Sequence, residues 1–463
     1  MSAISEQKIP VLRELEPLLP ANEAVIKDRI VSSIYQQAEA ICRQAVKTGK
    51  PPVNLDARLD GILTSRWLGF PIMLLLLALV LWITITGANY PSQLLAGGLF
   101  WLEEQLASLF MAWGAPAWLY GILILGVYRT LAWVIAVMLP PMAIFFPLFT
   151  LLEDLGYLPR VAFNMDNLFR RAGAHGKQCL TMCMGFGCNA AGVTSCRIID
   201  SPRERLIAIL TNTFSVCNGR FPTLIVLATI FMGALVAPAY SSMLAALVVV
   251  GIIMTGIVVT LFISYLLSRT LLRGVPSFFV LELPPFRKPQ LGQIIIRSLL
   301  DRTLFVLGRA VVIAAPAGAL TWILANSFVG DVSVFTRLTN WLDPLGQIMG
   351  MDGIILMAFL LGLPANEIVL PIIIMGYMSA GSMLELDSMS ALRTLLLDHG
   401  WTWITAICVM LFSLLHFPCG TTLYTIFKET RRARWTLLAL LLPLVLGILT
   451  TLLVNQGAGL IEL

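Results

Sequence analysis

Residues 180–196 read LTMCMGFGCNAAGVTSC, and the fold turns on how that stretch is understood. Its flanks are apolar enough for a bilayer, yet its middle holds Gly185, Gly187, Gly192, Asn189 and three cysteines. Lipid offers the backbone no hydrogen-bond partner, so irregular backbone at membrane depth persists only when buried in protein or lining a wet cavity. The stretch predicts a broken membrane segment with protein on every side.

The composition agrees with a membrane setting. The 463 residues are 58% hydrophobic and 12% charged, whereas soluble domains run near half apolar and about a quarter charged. Several apolar runs approach or exceed the roughly 20 residues that cross a bilayer as helix. The opening MSAISEQKIPVLRELEPLL lacks an apolar signal core, so the N-terminus is expected to stay cytoplasmic. The net charge of +5 reports topology, because basic loops are retained inside; it gives no reason to expect a nucleic-acid partner. Seven of the eight cysteines fall in or beside apolar segments, which reads as reduced thiols rather than a secreted disulfide framework.

Spans are expected near 69–87, within 117–152, and near 206–236, 241–268, 304–327, 401–427 and 435–454. Residues 88–116 carry Glu103 and Glu104 but no Lys or Arg, and read as an amphipathic helix on the outer surface. The intervening loops that alternate as cytoplasmic hold 26 of the 31 basic residues. Basic loops on both sides of 178–196 imply that this segment enters and returns. The weakly basic loops around 353–379, GIILMAFLLGLPANEIVLPIIIMGYMS, imply a second broken segment entering from the opposite side. The expected fold is an all-α polytopic membrane protein of about 7–9 transmembrane segments, with two oppositely oriented broken or re-entrant segments as an inverted repeat. Four parts follow: a cytoplasmic helical arm and linker (1–66), a first membrane half (67–270), a cytoplasmic amphipathic linker (271–303) and a second half (304–463).

The breaks carry the chemistry. Gly185 and Gly187 free backbone carbonyls beside Cys188 and Asn189, and the word PANE sets Asn366 and Glu367 in mid-segment. HFPCGTT adds His416 and Cys419, and SVCNGR adds Cys217 and Asn218; Glu153 stands at the end of a span. Ionisable groups at such depth are costly and mark pathways. Thiol, imidazole, amide and carboxylate together suit a borderline-soft divalent cation. The alternatives are Gly and Pro words that serve packing, and a Glu367 that pairs with Arg220 or Arg309. No G-x-x-x-x-G-K-[ST] phosphate loop occurs, and the three histidines lack a nucleophile motif, so no enzyme is expected.

The words LEDLGYLPRVAFNMD (152–166), GFGCNAAG (185–192), CRIIDSPRERLIAIL (196–210), FVLELPPFRKP (279–289), PANE (364–367) and FPCGTTLYTIFKET (417–430) occur in the order found in one family. Together with LDARLDGILTSRWLGFPIM (55–73), they resemble the membrane portion of the ferrous-iron transporter B family over roughly residues 25–455. The resemblance implies an Fe²⁺ importer of the bacterial inner membrane with two gates, the first in 178–196 and the second in 353–379 and 401–427. Fe²⁺ would be cargo, with no permanently bound cofactor. Family members typically begin with a GTP-binding domain, absent here, which implies a separate GTP-binding protein as partner. Small cytoplasmic accessory proteins and a homo-oligomer are further expectations. CNAAG and PANE depart from words common in the family, which bears on ion selectivity. The alternatives are a nucleoside-recognition transporter of the gate type and a non-transporting membrane partner subunit.

Overall fold

A computed structural model describes residues 23–45, 55–65, 67–233, 238–274, 285–383 and 389–461. Residues 1–22 and 46–54 of the expected arm, and 275–284 of the expected linker, lie outside the described residues. Residues up to Leu59 form a unit of their own, in which helix α1 spans Glu23–Ala45. The short α2, Leu55–Leu63, bridges into the second unit, Asp60–Leu463.

In that second unit α3 runs over Gly69–Ala112, α4 over Ala117–Asp154 and α5 over Tyr157–Arg171. The first broken segment follows as α6, Gln178–Gly187, and α7, Asn189–Ser195. Next come α8, Pro202–Thr211, and α9, Phe221–Leu227, two parts of one interrupted span, then α10, Pro238–Arg269. Helix α11, Leu291–Ile296, passes through a π-helical stretch into α12, Phe305–Asn326. A two-residue hairpin pairs Phe328–Val329 with Val332–Ser333. The second broken segment comprises α13, Val334–Ile348, bent by 110° into α14, Gly353–Leu361, and then α15, Val369–Tyr377. Helices α16, Met389–Asp398, α17, Trp403–Leu415, α18, Gly420–Thr430, and α19, Ala433–Ile461, complete the described chain.

Among the described residues, seven helical stretches are long and apolar enough to cross a membrane, eight if the bent pair α13–α14 counts as one span. The protein is an all-α, multi-pass membrane protein. Three of those spans separate the two broken segments, an odd number, so a segment that returns to its starting face is answered by one from the opposite face. All eight cysteines are free.

One expectation changes. The outer-surface helix expected within 88–116 is not separate: α3 continues through Pro91 for 44 residues, about 66 Å at 1.5 Å per residue. Two contacts to α4 fix its far half. Buried Glu103 accepts from Arg129 Nε at 2.9 Å, and Tyr128 donates to the Leu99 carbonyl at 2.8 Å. An apolar run with two carboxylates and no base of its own therefore reads as a surface helix from sequence, because the cation that satisfies Glu103 lies 26 residues away.

Glycine lets α4 and α12 approach closely. A Cβ on Gly121 would overlap the Trp322 ring, and one on Gly318 would overlap Thr130 and the Gly126 carbonyl. Small residues drive such packing where lipid supplies no hydrophobic force between helices. At the end predicted to be cytoplasmic, buried Arg160 pairs with Asp60, Nε to Oδ1 at 2.9 Å, donates to the Gly156 carbonyl and lies 4.2 Å from the Phe286 ring centre. Replacement of Gly318 by Val should destabilise the detergent-solubilised protein by about 1–3 kcal/mol through overpacking. Gly97→Val, at a site with open space around it, should leave the thermal unfolding midpoint where it is.

Candidate functional site

Each helix interruption is made the same way. A residue in extended conformation precedes the helical stretch that resumes, at Cys188 (φ −155°, ψ 125°), Cys217 (−80°, 163°), Ala365 (−151°, 116°) and Cys419 (−60°, 157°). The angles match in pairs. Cys188 corresponds to Ala365, each followed by Asn; Cys217 corresponds to Cys419, each at the break of a full-length span. Similar backbone at these paired positions is what an internal repeat of broken segments would give.

The four breaks meet around one cavity with room of about 30 Å³, about two waters by that measure. The first half contributes Gly187, Cys188 and Asn189, together with Cys217, Asn218 and Gly219. The second contributes Pro364, Ala365, Asn366 and Glu367, with Cys419 and Thr421. Met138 and Met142, one turn apart on α4, add two thioethers. Eight of the eleven residues singled out in the sequence thus line a single space.

Hydrogen bonds between breaks hold this geometry. The Asn189 amide, oriented so that both its ends are satisfied, donates to the carbonyls of Gly185, Asn212 and Ser215, each at 3.2 Å. Asn212 returns a bond from Nδ2 to the Asn189 carbonyl at 3.1 Å. In the second half the Gly420 N–H donates to the Leu363 carbonyl at 2.6 Å. The Trp133 indole donates to the Glu367 carbonyl at 3.2 Å and ties that turn to α4. The Cys419 thiol lies 3.2 Å from the Thr422 hydroxyl.

Three of the predicted residues lie elsewhere. Gly185 stands one turn behind the cavity, where an added Cβ would press on Asn212 and Ser215 at 3.0 Å; it is a packing position. His416 is buried behind Asn366. Its Nδ1 faces the carbonyls of Phe412 and Ser413, so Nδ1 carries the proton and Nε2 is left as acceptor. The Asn366 side chain lies 3.3 Å from Nε2, and hydrogen-bond logic turns its NH₂ toward the ring and its oxygen away. Glu153 is exposed in the last turn of α4 and does not line the cavity.

Glu367 and Arg220 do not form an ion pair among the described residues. Arg220, 1% exposed, donates to the carbonyls of Thr213 and Leu414 at 3.1 and 2.9 Å, and to those of His416 and Phe417 at 3.4 Å. It thereby joins the break of the first interrupted span to that of the second. The Glu367 carboxylate lies against the Gly219 backbone, so close that any Cβ there would overlap it. Sequence reading missed Met138, Met142, Trp133, Asn212 and Gly219. The MLPPM word offered the first two: Met residues at i and i+4 around two prolines share one helix face.

Among the described residues, no three His, Cys, Asp or Glu side chains come close enough to hold a metal ion. The cavity offers thiols, thioethers, amides and one carboxylate, but not a closed ligand set.

Comparisons with known proteins follow the same lines. A family model described as nucleoside recognition, the gate, matches residues 135–232 and 307–433. A model described as the ferrous iron transport protein B C terminus matches residues 249–301. The chain is 28% identical to the Fe(2+) transporter FeoB of Staphylococcus aureus over 416 residues, 86% of this chain and 59% of that protein. It is 26% identical over 441 residues to the Fe(2+) transporter FeoB of Methanocaldococcus jannaschii, covering 92% and 62% respectively. A Porphyromonas gingivalis protein named as an Fe(2+) transport protein A/Fe(2+) transporter FeoB fusion is 26% identical over 483 residues, covering 93% and 55%. The chain thus spans roughly three-fifths of the length of these curated relatives. No solved structure matches it.

Replacing Arg220 by Met leaves buried carbonyls at both breaks without donors, each costing about 1–3 kcal/mol. The expected outcome is loss of monodisperse protein on size exclusion. Gly219→Ala should keep the fold and displace the Glu367 carboxylate, read as a change in the rate at which a carbodiimide modifies Glu367.

Proposed function

We propose that this chain, similar to Fe(2+) transporters FeoB over most of its length, is the membrane portion of such a transporter and carries Fe²⁺ across the bilayer through the cavity where its four breaks meet. The observation that carries this reading is the lining of that cavity: three thiols, three side-chain amides and one carboxylate, drawn from both halves. Thiol and oxygen donors together suit a borderline divalent ion such as Fe²⁺. The small volume supports an ion that exchanges its water for side chains, and the incomplete ligand set supports transit rather than residence. Cys188, Cys217 and Cys419 are the proposed thiol steps. Asn189, Asn218 and Asn366 supply amide oxygens, and Glu367 supplies charge. Binding to thiolates releases protons, so passage through the site is accompanied by proton transfer to a neighbour or to water.

The gate model's own description, nucleoside recognition, favours a second cargo. A nucleoside needs a stacking surface and space for a ring and a sugar. The cavity is lined by no aromatic side chain and has room for about two waters. Fe²⁺ is the better fit.

Two membrane halves, 67–270 and 304–463, joined by a cytoplasmic linker at 271–303, make up the proposed machine, with the arm at 1–66 and the N-terminus on the cytoplasmic side of the bacterial inner membrane. The concentration of basic residues in alternate loops supports that orientation. A separate GTP-binding protein is the proposed source of energy; no G-x-x-x-x-G-K-[ST] phosphate loop occurs in these residues. The Porphyromonas gingivalis fusion supports a small accessory protein as a further partner. A homo-oligomer remains part of the proposal.

Reconstitution into liposomes loaded with an Fe²⁺-quenched dye tests the pathway. Cys188→Ser, Cys419→Ser and Glu367→Gln should each lower the initial uptake rate at least tenfold while thermal stability stays near that of the parent. Parent-like uptake by the double variant Cys188→Ser/Cys419→Ser overturns the thiol pathway. The purified chain alone should hydrolyse GTP no faster than buffer.

A further inference from the structure

A second cavity lies behind the first broken segment, and its chemistry is the reverse of the first. It has room of about 80 Å³ and is bounded by Leu77 on α3, Phe149 on α4, Met165 on α5, and Met182 and Cys183 on α6. No charged residue lines it, and an apolar cavity stays dry. Five helices, α10 with Ile257 among them, leave this space unfilled, where protein interiors pack at crystal-like density.

Its position names the occupant. Leu74 lines the cavity and is 45% exposed, and its neighbour Leu75 is 67% exposed, so the mouth opens on the lipid-facing side of α3. Trp67, 88% exposed, stands just before that helix, where indole rings mark the headgroup level. Leu74 is seven residues further on, about 10 Å along a helix axis. The mouth therefore lies at the depth of the fatty-acid tails and below the reach of water.

We infer that this cavity is a site for one acyl chain of a bilayer phospholipid, which enters beside α3 and ends against α6. The seated chain also lies against Phe145, whose ring so closely backs Gly187 that a Cβ there would overlap it. Gly187 immediately precedes Cys188 at the break, so the lipid tail and the broken segment share one wall.

The whole chain, in vesicles of phosphatidylethanolamine and phosphatidylglycerol doped with a phospholipid bearing a mid-chain diazirine, provides the test. After irradiation, cross-links should map by peptide mass spectrometry to Met182 and Cys183 on α6 and to Met165 on α5. Leu77→Trp, which places a ring in the cavity, should reduce those cross-links at least fivefold and leave those on lipid-facing Val250 and Val258 of α10 unchanged. Should Leu77→Trp fail to fold, Met165→Phe serves the same purpose. Cross-links restricted to lipid-facing residues, or α6 cross-links insensitive to filling the cavity, overturn the inference. The readout needs no iron, so its failure is separate from failure of the transport reading.

Discussion

The Arg220 guanidinium donates to Thr213 in the first half and to Leu414, His416 and Phe417 in the second. A buried cation is normally a burden; here it answers another. Each interrupted helix exposes carbonyls that lipid cannot satisfy, and those around 213 and 414–417 face one another closely enough for a single planar fork of donors to serve both. The ending of α17 also carries the negative end of a helix dipole, which favours the same charge. The breaks are thus coupled: the carbonyls left open at the second break take their donor from a side chain of the first interrupted span. The remaining cross-links, Leu363 with Gly420, Asn189 with Gly185 and Ser215, and Trp133 with Glu367, repeat that logic with neutral groups.

At the paired breaks the backbone matches and the side chains do not. Cys188 and Ala365 have dihedral angles within about ten degrees of each other, yet one offers sulfur and the other a methyl group. Asn189 and Asn366 keep the same residue, each anchored to the neighbouring break of its own half, one through carbonyls and one through His416. Directly after them the repeat offers Ala190 in one half and Glu367 in the other. The two sides thus bring different donors to the cavity: two thiols and two amides from one, and one thiol, one amide and a carboxylate from the other.

The sequence made the breaks legible because their cause is local. Gly, Pro and Asn inside an apolar run disturb a helix wherever it sits, and GFGCN, SVCNGR, PANE and HFPCG each mark an actual interruption. What it could not convey is which side of a break a residue faces. Gly185 and Gly187 look equivalent in the string, but two residues apart on a helix point in directions about 200° different, and only Gly187 reaches the cavity. His416 reads as a ligand from its chemistry and acts as the support of one, because its Nδ1 is taken by the turn that precedes it. Trp133 and Asn212 carried no signal at all. They are ordinary residues of apolar helices until a distant segment is folded against them.

On the proposed transport reading, the incomplete ligand set among the described residues suits a conduit. A closed thiolate and imidazole site binds a divalent ion with an apparent free energy of about 10–16 kcal/mol. Near the middle of that range the dissociation constant is about 10⁻¹⁰ M. Even with association at about 10⁹ M⁻¹s⁻¹, such an ion stays on the order of ten seconds. Every ligand withheld shortens that residence by the loss of its share of the binding energy, tenfold for each 1.4 kcal/mol. Sulfurs at Cys188, Cys217 and Cys419, shared between breaks that belong to different helices, meet this requirement in a particular way: small relative movements of the halves change how many donors reach the ion at once. The strength of the site is then set by how the breaks are held together, which returns its control to Arg220 and the carbonyls it joins.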